Sequence, residues 1–241
     1  MLLTHTPPHL ILRLAAASDG ATLTISDRIG LARAAQAAGI DTVLLPTGRA
    51  EPDPWMLAAA LAAEIPDINL MVGLRVGSML PVVAAHLAQS MQSLSAGRLI
   101  LQMELDEPVD TGRDYLNRAQ RLERCAEFLA IFRALRQGAP LEFRGTYFQA
   151  ENAKLPDLAA SLPAVYWLPK AADEYAIASR HCDGLLFRCF PPVAVRRQIA
   201  DAWQRLVGAL PDERECFYSV SSESAEASPR PVPNGAIRGK P

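Results

Sequence analysis

The chain has 241 residues, of which 50% are hydrophobic and 21% are charged, and its formal net charge is -2. This length and composition suit one globular domain with a sizeable core. The net charge is too small to argue for a nucleic acid or a strongly acidic partner. The four cysteines form no CxxC pair, so we expect reduced thiols rather than a disulfide framework, and no metal site.

The sequence carries no pattern of a membrane protein. Its N-terminus lacks a basic segment, and Pro7 and Pro8 interrupt it before the first apolar stretch, so we expect no signal peptide. The longest run without Asp, Glu, Lys or Arg covers residues 76–97, and it contains Pro81, His86 and Gln89. Such a run is a poor membrane span, and we expect a cytoplasmic protein.

Short apolar segments alternate with longer helical segments along the first half of the chain. In chain order we predict strand 9–16, helix 26–38, strand 41–45, helix 54–64, strand 68–76, helix 81–95, strand 99–105 and helix 117–136. Ser26 is the expected N-cap of the first helix, and Gly39 is expected to end it.

The pattern changes after Gly138. Residues 141–148 combine apolar, polar and Gly-Thr residues, which predicts a β-hairpin inserted before the fifth strand. Beyond it we predict strand 164–168, helix 171–181, strand 184–190, helix 193–210 and a further strand at 216–220. Serine, glutamate, alanine and proline dominate from Ser221 on, so we expect a disordered tail over 221–241.

Strands that alternate with helices predict a parallel sheet with right-handed crossovers. A complete barrel of this kind needs eight βα units, and this sequence supplies about six to seven. We therefore predict an α/β fold over residues 1–220, a TIM-type (β/α) barrel that is incomplete at its C-terminus. Because an open barrel leaves strand edges unpaired, the tail or a partner chain would cover them, and we expect a homodimer or larger assembly.

Three segments resemble the luciferase-like flavin monooxygenases, and specifically their alkanesulfonate monooxygenase branch. They occur in the order and with the spacing of that family: residues 43–55, with Pro-Thr-Gly-Arg at 46–49; residues 74–98, which end in Leu-Ser-Ala-Gly-Arg; and residues 121–155, with Phe-Arg-Gly-Thr-Tyr-Phe at 143–148. The resemblance covers residues 9–210 in all.

This resemblance implies a flavin-dependent oxidoreductase. Members of the family use reduced FMN, which a separate NAD(P)H-dependent flavin reductase supplies, together with O2 and a small organic substrate. In the branch named above the substrate is an alkanesulfonate, whose carbon–sulfur bond breaks. Such a site has to hold a phosphate, exclude water and place a cation against the anionic substrate, all at the C-terminal ends of the strands.

The resemblance assigns roles to a residue that follows the second strand and to residues at the end of the third. Arg49 is the expected catalytic-site cation for the sulfonate, and a structural salt bridge is the alternative. Arg75, Gly77 and Ser78 correspond to the place where the family packs its backbone against the flavin ring, and Gly77 permits close approach. An ordinary loop is the alternative at these three positions.

Residues at the end of the fourth strand and after the fifth complete the expected site. Glu104 takes a position that contacts the flavin in relatives, although its charge would repel a phosphate. Lys170 and Ala171 are expected near the FMN phosphate, where Leu-Pro-Lys-Ala-Ala at 168–172 replaces the family's Gly-Gly-Ser-Ser. Glu51 stands where the sulfonate branch has a cysteine. These departures keep a second interpretation open, a non-catalytic flavin-binding protein or a degenerate, C-terminally shortened paralogue.

Overall fold

The computed structural model describes residues 10–15, 23–48, 51–105, 115–156, 161–189 and 216–221. Its strands are β1 (Leu10–Arg13), β2 (Thr42–Leu45), β3 (Asn69–Leu74), β4 (Leu99–Met103), β5 (Leu141–Arg144), β6 (Gln149–Ala153), β7 (Ala164–Trp167), β8 (Gly184–Cys189) and β9 (Cys216–Ser221). Its helices are α1 (Ile25–Ala37), α2 (Pro54–Glu64), α3 (Pro81–Leu94), α4 (Arg118–Leu135) and α5 (Tyr175–His181).

Seven of these strands form a closed barrel in the order β1-β2-β3-β4-β7-β8-β9. The first six run parallel to their neighbours, which confirms the predicted α/β barrel and falls within the expected number of units. The predicted strand at 216–220 exists as β9, but it pairs antiparallel with both β8 and β1 and adds no βα unit. The edges of β1 and β8 are thus paired within the chain, so the reason for expecting a homodimer is removed.

The inserted hairpin is confirmed and is longer than predicted, since its second strand extends to Ala153. Strands β5 and β6 form a separate two-stranded sheet that is tethered to α4 through Glu127. The Glu127 carboxylate accepts backbone N–H groups from Thr146 at 2.7 Å, Tyr147 at 2.9 Å and Phe148 at 3.1 Å. A Cβ at Gly145 would lie 2.2 Å from a Glu127 oxygen, so any other residue here would displace the carboxylate that accepts these three hydrogen bonds.

Side-chain hydrogen bonds fix the helix starts. The first helix is capped by Thr24 rather than by Ser26: the Asp27 N–H donates to the Thr24 hydroxyl, and the Asp27 carboxylate accepts the Thr24 N–H. This reciprocal pair satisfies two N–H groups that the helix cannot satisfy itself. Asp53 caps α2, with Pro54 as its first residue, and it accepts N–H groups from Trp55 and Met56, each at 3.0 Å.

Strand side chains alternate between two cores. Those that face outward, such as Leu12, Val43 and Leu45, pack with the helices in the larger cluster. Those that face inward form a second, smaller cluster of buried side chains inside the barrel, comprising Ile11, Leu44, Met71, Leu168 and Leu186. The barrel is therefore a packed core rather than a pore, and any ligand has to bind at one of its ends.

The end of the barrel where the parallel strands begin is held by arginine. Arg98 follows the turn formed by Ala96 and Gly97, both of which have positive φ. Its guanidinium donates to the carbonyl oxygens of Ile68 at 2.7 Å, Ser95 at 2.8 Å, Ile65 at 2.9 Å and Ala62 at 3.0 Å. One side chain thus joins the end of α2, the end of α3 and the start of β3.

A second arginine holds the starts of β7 and β8. The Arg136 Nη1 and Nη2 donate to the Asp183 carboxylate, at 3.1 and 2.9 Å. The Nη2 also donates to the Pro163 carbonyl. Asp183 in turn accepts the N–H of Val165 at 2.8 Å. We call this end of the barrel, with Arg98, Arg136 and Asp183, the base.

Two predicted segments lie outside the described residues. They are the helix at 193–210 and the tail, apart from Ser221, which ends β9. The division into a domain of residues 1–220 and a tail therefore stays a prediction. Within the described ranges, no helix has the length and apolar character needed to cross a bilayer.

Candidate functional site

The opposite end of the barrel, where the parallel strands finish, gathers the polar side chains that face inward. We call this end the mouth. The residues that follow each parallel strand there include Thr47, Arg75, Glu104 and Lys170. Since the carboxyl ends of all the parallel strands meet at the mouth, residues distant in sequence become neighbours, as in other β/α-barrels.

Below the mouth the barrel interior is closely packed with apolar side chains. Gln102 is buried beside the apolar inner cluster, and its Nε2 donates to the Met103 carbonyl at 3.2 Å. Gly73 lies against the end of β2, and a Cβ there would approach the Thr47 nitrogen to 3.1 Å and the Gln102 Oε1 to 3.4 Å. The interior is therefore closed below the mouth, which limits access of water from that direction.

Arg75 connects the ends of β2 and β3. Its Nε donates to the Thr47 hydroxyl at 2.7 Å, and its Nη2 donates to the Thr47 carbonyl at 3.2 Å. Residues Val76–Ser78 form a short 3₁₀ turn, in which the Ser78 hydroxyl donates to the Arg75 carbonyl at 2.7 Å. The three predicted residues Arg75, Gly77 and Ser78 thus lie together at the mouth, and their contact with a flavin stays a prediction.

Arg49, the expected substrate cation, lies outside the described residues, but both sides of its segment are fixed. On the far side, Glu51 forms a buried ion pair with Arg28 of α1 at 2.7 Å, with the two side chains 8% and 1% exposed. Arg28 also donates to the Leu14 carbonyl just after β1. In the sequence, Glu51 is only a departure from the sulfonate branch. In the fold, its carboxylate neutralises the buried charge of Arg28.

Glu104 and Lys170 are brought together by the pairing of β4 with β7. The Lys170 Nζ lies 3.6 Å from a Glu104 Oε2, and the two side chains are 36% and 22% exposed. The sequence placed both residues at the flavin, one as a repelling carboxylate and one as a phosphate-binding cation. Their proximity means that each offsets the charge of the other.

The loop after β7 is organised around Glu174, a side chain that is 0% exposed. Its carboxylate accepts hydrogen bonds from the Arg118 Nη2 at 2.8 Å, the Trp167 Nε1 at 2.9 Å and the Lys170 N–H at 3.0 Å. Ala171 begins the 3₁₀ turn Ala172–Glu174 that delivers this carboxylate. Ala171 therefore has a structural position in the turn, and its proposed role at a flavin phosphate stays a prediction.

Arg118 completes this network from the first turn of α4. Its guanidinium forms a two-pronged pair with Asp173, from Nε at 2.9 Å and from Nη2 at 2.7 Å. The hydrogen bonds that Arg118 donates to Asp173 and Glu174 raise the pKa of Arg118, and the same hydrogen bond to Asp173 lowers the pKa of Asp173. Arg118 therefore stays protonated and Asp173 ionised across the physiological range.

Sequence reasoning missed four polar residues at or near the mouth: Arg13, Gln102, Arg118 and Glu174. Arg13 ends β1 two residues after the inward-facing Ile11, so strand alternation directs it into the barrel. The available signal for Arg13 and Gln102 was a single polar residue near the end of an apolar strand, in Leu-Ile-Leu-Arg and in Leu-Ile-Leu-Gln-Met. No comparable signal marks Arg118 and Glu174, since they are 56 residues apart.

The described cysteine and histidine side chains do not form a nucleophilic site. Burial raises the pKa of the Cys182 thiol to about 12, so this residue is not a thiolate at neutral pH. Burial also lowers the pKa of His181, and nearby Arg133 and Arg180 add to this effect. His86 is exposed on α3. The chemistry of the mouth is therefore that of arginine, lysine and carboxylate groups.

Comparison with known proteins gives one family and a set of related structures. The family model described as luciferase-like monooxygenase matches residues 9–212. Among solved structures, EDTA monooxygenase from Chelativorans sp. BNC1 superposes with a TM-score of 0.63 at 20% identity, over 81% of this chain and 60% of that one. The coenzyme F420 dependent tetrahydromethanopterin reductase from Methanopyrus kandleri gives 0.63 at 13% identity, over 83% and 62%.

A third related structure was solved with FMN. It is the oxygenating constituent of 3,6-diketocamphane monooxygenase from the CAM plasmid of Pseudomonas putida, with a TM-score of 0.58 at 16% identity, over 85% of this chain and 64% of that one. At these identities the likeness shows the fold alone. This chain spans roughly three fifths of the length of the three related chains.

Proposed function

The chain belongs to the luciferase-like monooxygenase family, and we propose that it is a flavin-dependent monooxygenase that oxidises a small organic substrate with O2 at the barrel mouth. The observation that carries this proposal is the family match over residues 9–212 together with the polar residues gathered at the mouth. FMN is the flavin that the sequence resemblance implies, and one related structure holds FMN.

Reduced flavin would supply the two electrons that O2 needs for insertion of one oxygen atom into the substrate. The residues proposed to hold its ring are Arg75, Gly77 and Ser78. The Arg75 guanidinium, fixed by Thr47, is a hydrogen-bond donor of the type that suits the carbonyl oxygens of a flavin ring. The packed inner cluster below would exclude water from beneath the ring.

We further propose an anionic substrate, an alkanesulfonate in the first instance, with Arg49 as its cation. The support is local: Arg75 holds Thr47 on one side of this segment, and Arg28 holds Glu51 on the other. Thr47 contacts Arg75, which is proposed to hold the flavin ring, so a cation two residues after Thr47 in the sequence suits a substrate that has to reach the flavin.

Replacement of Arg49 by alanine tests this assignment. We expect the KM for an anionic substrate to rise at least about tenfold, the loss expected for one charge-assisted hydrogen bond, while the Kd for reduced flavin stays within about twofold. Arg33→Ala is the matched control, because Arg33 forms an exposed pair with Glu64. Unchanged kinetics in the Arg49 variant would remove Arg49 from the site.

Supply of the reduced flavin is a separate part of the proposal. We propose a separate NAD(P)H-dependent flavin reductase as the partner and the cytoplasm as the location, as in the family that the sequence resembles. The test is oxygen consumption by the full chain with chemically reduced FMN and a panel of sulfonates and aldehydes, with and without an added flavin reductase. Turnover with chemically reduced FMN and no added reductase would support the proposal that flavin reduction and substrate oxidation take place on separate proteins.

A second candidate function is flavin binding without turnover. It is favoured by the strand count, since six parallel strands contribute loops to the mouth in the described part of the chain, against eight in a complete barrel. A yellow protein that retains flavin through purification and consumes no oxygen with any substrate of the panel would support this candidate over the monooxygenase.

A further inference from the structure

We propose that the Glu174 carboxylate occupies hydrogen-bond donors at the mouth that a flavin phosphate would otherwise use. This chain therefore binds a flavin by its ring and gains little affinity from the flavin phosphate. Riboflavin and FMN, which differ only in that phosphate, should then bind with similar affinity. The inference rests on the proposed function, since it assumes that a flavin binds at the mouth.

The first support is the set of donors that Glu174 already occupies. Its buried carboxylate holds the backbone N–H of Lys170, the indole N–H of Trp167 and one guanidinium nitrogen of Arg118. A carboxylate and a phosphate take the same kinds of donor, and a bound phosphate needs several of them at once. An external anion cannot reach these three donors without expelling a side chain that is 0% exposed.

The second support is the charge balance around the same loop. Two cations, Arg118 and Lys170, form ion pairs with three carboxylates, Glu104, Asp173 and Glu174, so this ion-paired group carries a net charge of about -1. The Lys170 ammonium, the cation expected at the phosphate, lies 3.6 Å from a Glu104 oxygen. A phosphate dianion placed here would meet repulsion from all three carboxylates.

Other described cations near the mouth have different positions or partners. Arg28 is buried against Glu51 and the Leu14 carbonyl, and Arg75 donates to Thr47. Arg121, one turn along α4 from Arg118, donates to the Leu116 carbonyl at 2.8 Å. Arg13 ends β1, on the far side of the barrel from β7. If a phosphate were bound by Arg13 or by Arg49, FMN would bind much more tightly than riboflavin, so the comparison of the two flavins also tests that possibility.

The experiment is a pair of anaerobic titrations of the full chain with reduced FMN and reduced riboflavin. We expect the two Kd values to agree within about threefold, because a phosphate that makes no net contact adds little affinity. FMN binding at least about thirtyfold more tightly would overturn the inference and leave the proposed function standing. Absence of binding by both flavins would overturn both together.

Variants sharpen the result. Glu104→Gln removes the carboxylate beside Lys170, so we expect FMN affinity to rise roughly fivefold, the effect of one partly exposed charge, with riboflavin affinity unchanged. Glu64→Gln, a neutralised carboxylate at the base in an exposed pair, is the matched control and should leave both affinities unchanged. A Glu104→Gln protein with the same ratio of affinities as the parent would contradict the role given to Glu104.

Discussion

The base and the mouth of the barrel both contain charged side chains, but these side chains have different roles at the two sites. At the base, Arg98 and Arg136 donate to backbone carbonyls and to Asp183, and each joins elements that are consecutive in space. At the mouth, Glu104 and Lys170 remain partly exposed and face each other across two strand ends. The base contacts therefore stabilise the barrel, whereas the charged groups of the mouth stay partly exposed at the end where β/α-barrels generally bind their ligands.

This difference separates motif residues from site residues. The Leu-Ser-Ala-Gly-Arg motif at 94–98 carries the family resemblance, yet its arginine lies at the base and binds only carbonyl oxygens in the contacts described. Glu174 belongs to no motif and organises the loop after β7. The Leu-Ser-Ala-Gly-Arg motif therefore indicates the fold, whereas Glu174 could be found only from its position after a strand of the folded barrel.

The largest expected effect concerns the buried pair that tethers the mouth to α1. Glu51→Ala leaves the Arg28 charge buried without its partner, so we expect a loss of about 3–5 kcal/mol in the free energy of unfolding. Urea denaturation measures this loss. The double variant Arg28→Met with Glu51→Leu should recover most of it, because an apolar pair leaves no unpaired charge. A loss below about 1 kcal/mol in the single variant would contradict the buried pair.

At the base, Arg98→Ala should affect stability and leave ligand binding alone. We expect a loss of about 2–3 kcal/mol, because four carbonyl oxygens lose a charged donor. The Kd for reduced flavin, measured well below the unfolding midpoint, should stay within about twofold of the parent value. A large rise in that Kd in a folded variant would break the proposed division between base and mouth.

Asp183 gives the base a pH dependence. Burial alone would raise its pKa, but hydrogen bonds from Arg136 and from the Val165 N–H outweigh burial and hold the pKa below the ordinary 3.8. A lowered folded-state pKa means that Asp183 stabilises the fold above about pH 4, and that this contribution is lost as pH falls through the folded value.

The corresponding variant is Asp183→Asn. It should lose about 1 kcal/mol at pH 7, reduced from the value for a buried pair because the carboxylate is 40% exposed. The difference from the parent protein should shrink as pH falls below about 4, which urea denaturation at several pH values would measure. A difference that is constant down to pH 2 would show that the charge of Asp183 is not the cause.

The smallest expected effect is at the exposed pair of Arg33 and Glu64, whose side chains are 57% and 53% exposed. Solvent screens such a pair, so Arg33→Ala should change stability by less than about 0.5 kcal/mol and leave flavin affinity unchanged. The same denaturation and titration experiments supply the measurement. A larger loss of stability would mean that the exposure of an ion pair does not determine how much that pair contributes to the free energy of unfolding.

Most of the fold could be predicted from the sequence, because apolar segments and helix caps are local signals. Helix α2 was predicted to the residue, since Asp53 and Pro54 mark its start. The cap of α1 was assigned to Ser26 although Thr24 lies three residues before Asp27, the spacing of a reciprocal cap. The direction of β9 could not be predicted, because apolar character indicates a strand and not which neighbours it pairs with.

The candidate site could be predicted only in part, and for a physical reason. Arg75 and Glu104 lie at the ends of predicted strands and Lys170 follows one, so their place at the mouth follows from the topology of a parallel barrel. The ion pairs that surround these residues could not be found in the same way. Glu51 is 23 residues from Arg28, and Glu174 is 56 residues from Arg118, so these pairs exist only after folding.

Binding of reduced flavin at the mouth is the claim on which the proposed function depends, and one measurement tests it directly. The full chain is titrated anaerobically with reduced FMN and followed by fluorescence or absorbance. The proposed function predicts saturable binding with a Kd in the micromolar range, about -8 kcal/mol. No binding at about 1 mM, a level worth only about -4 kcal/mol, would contradict it.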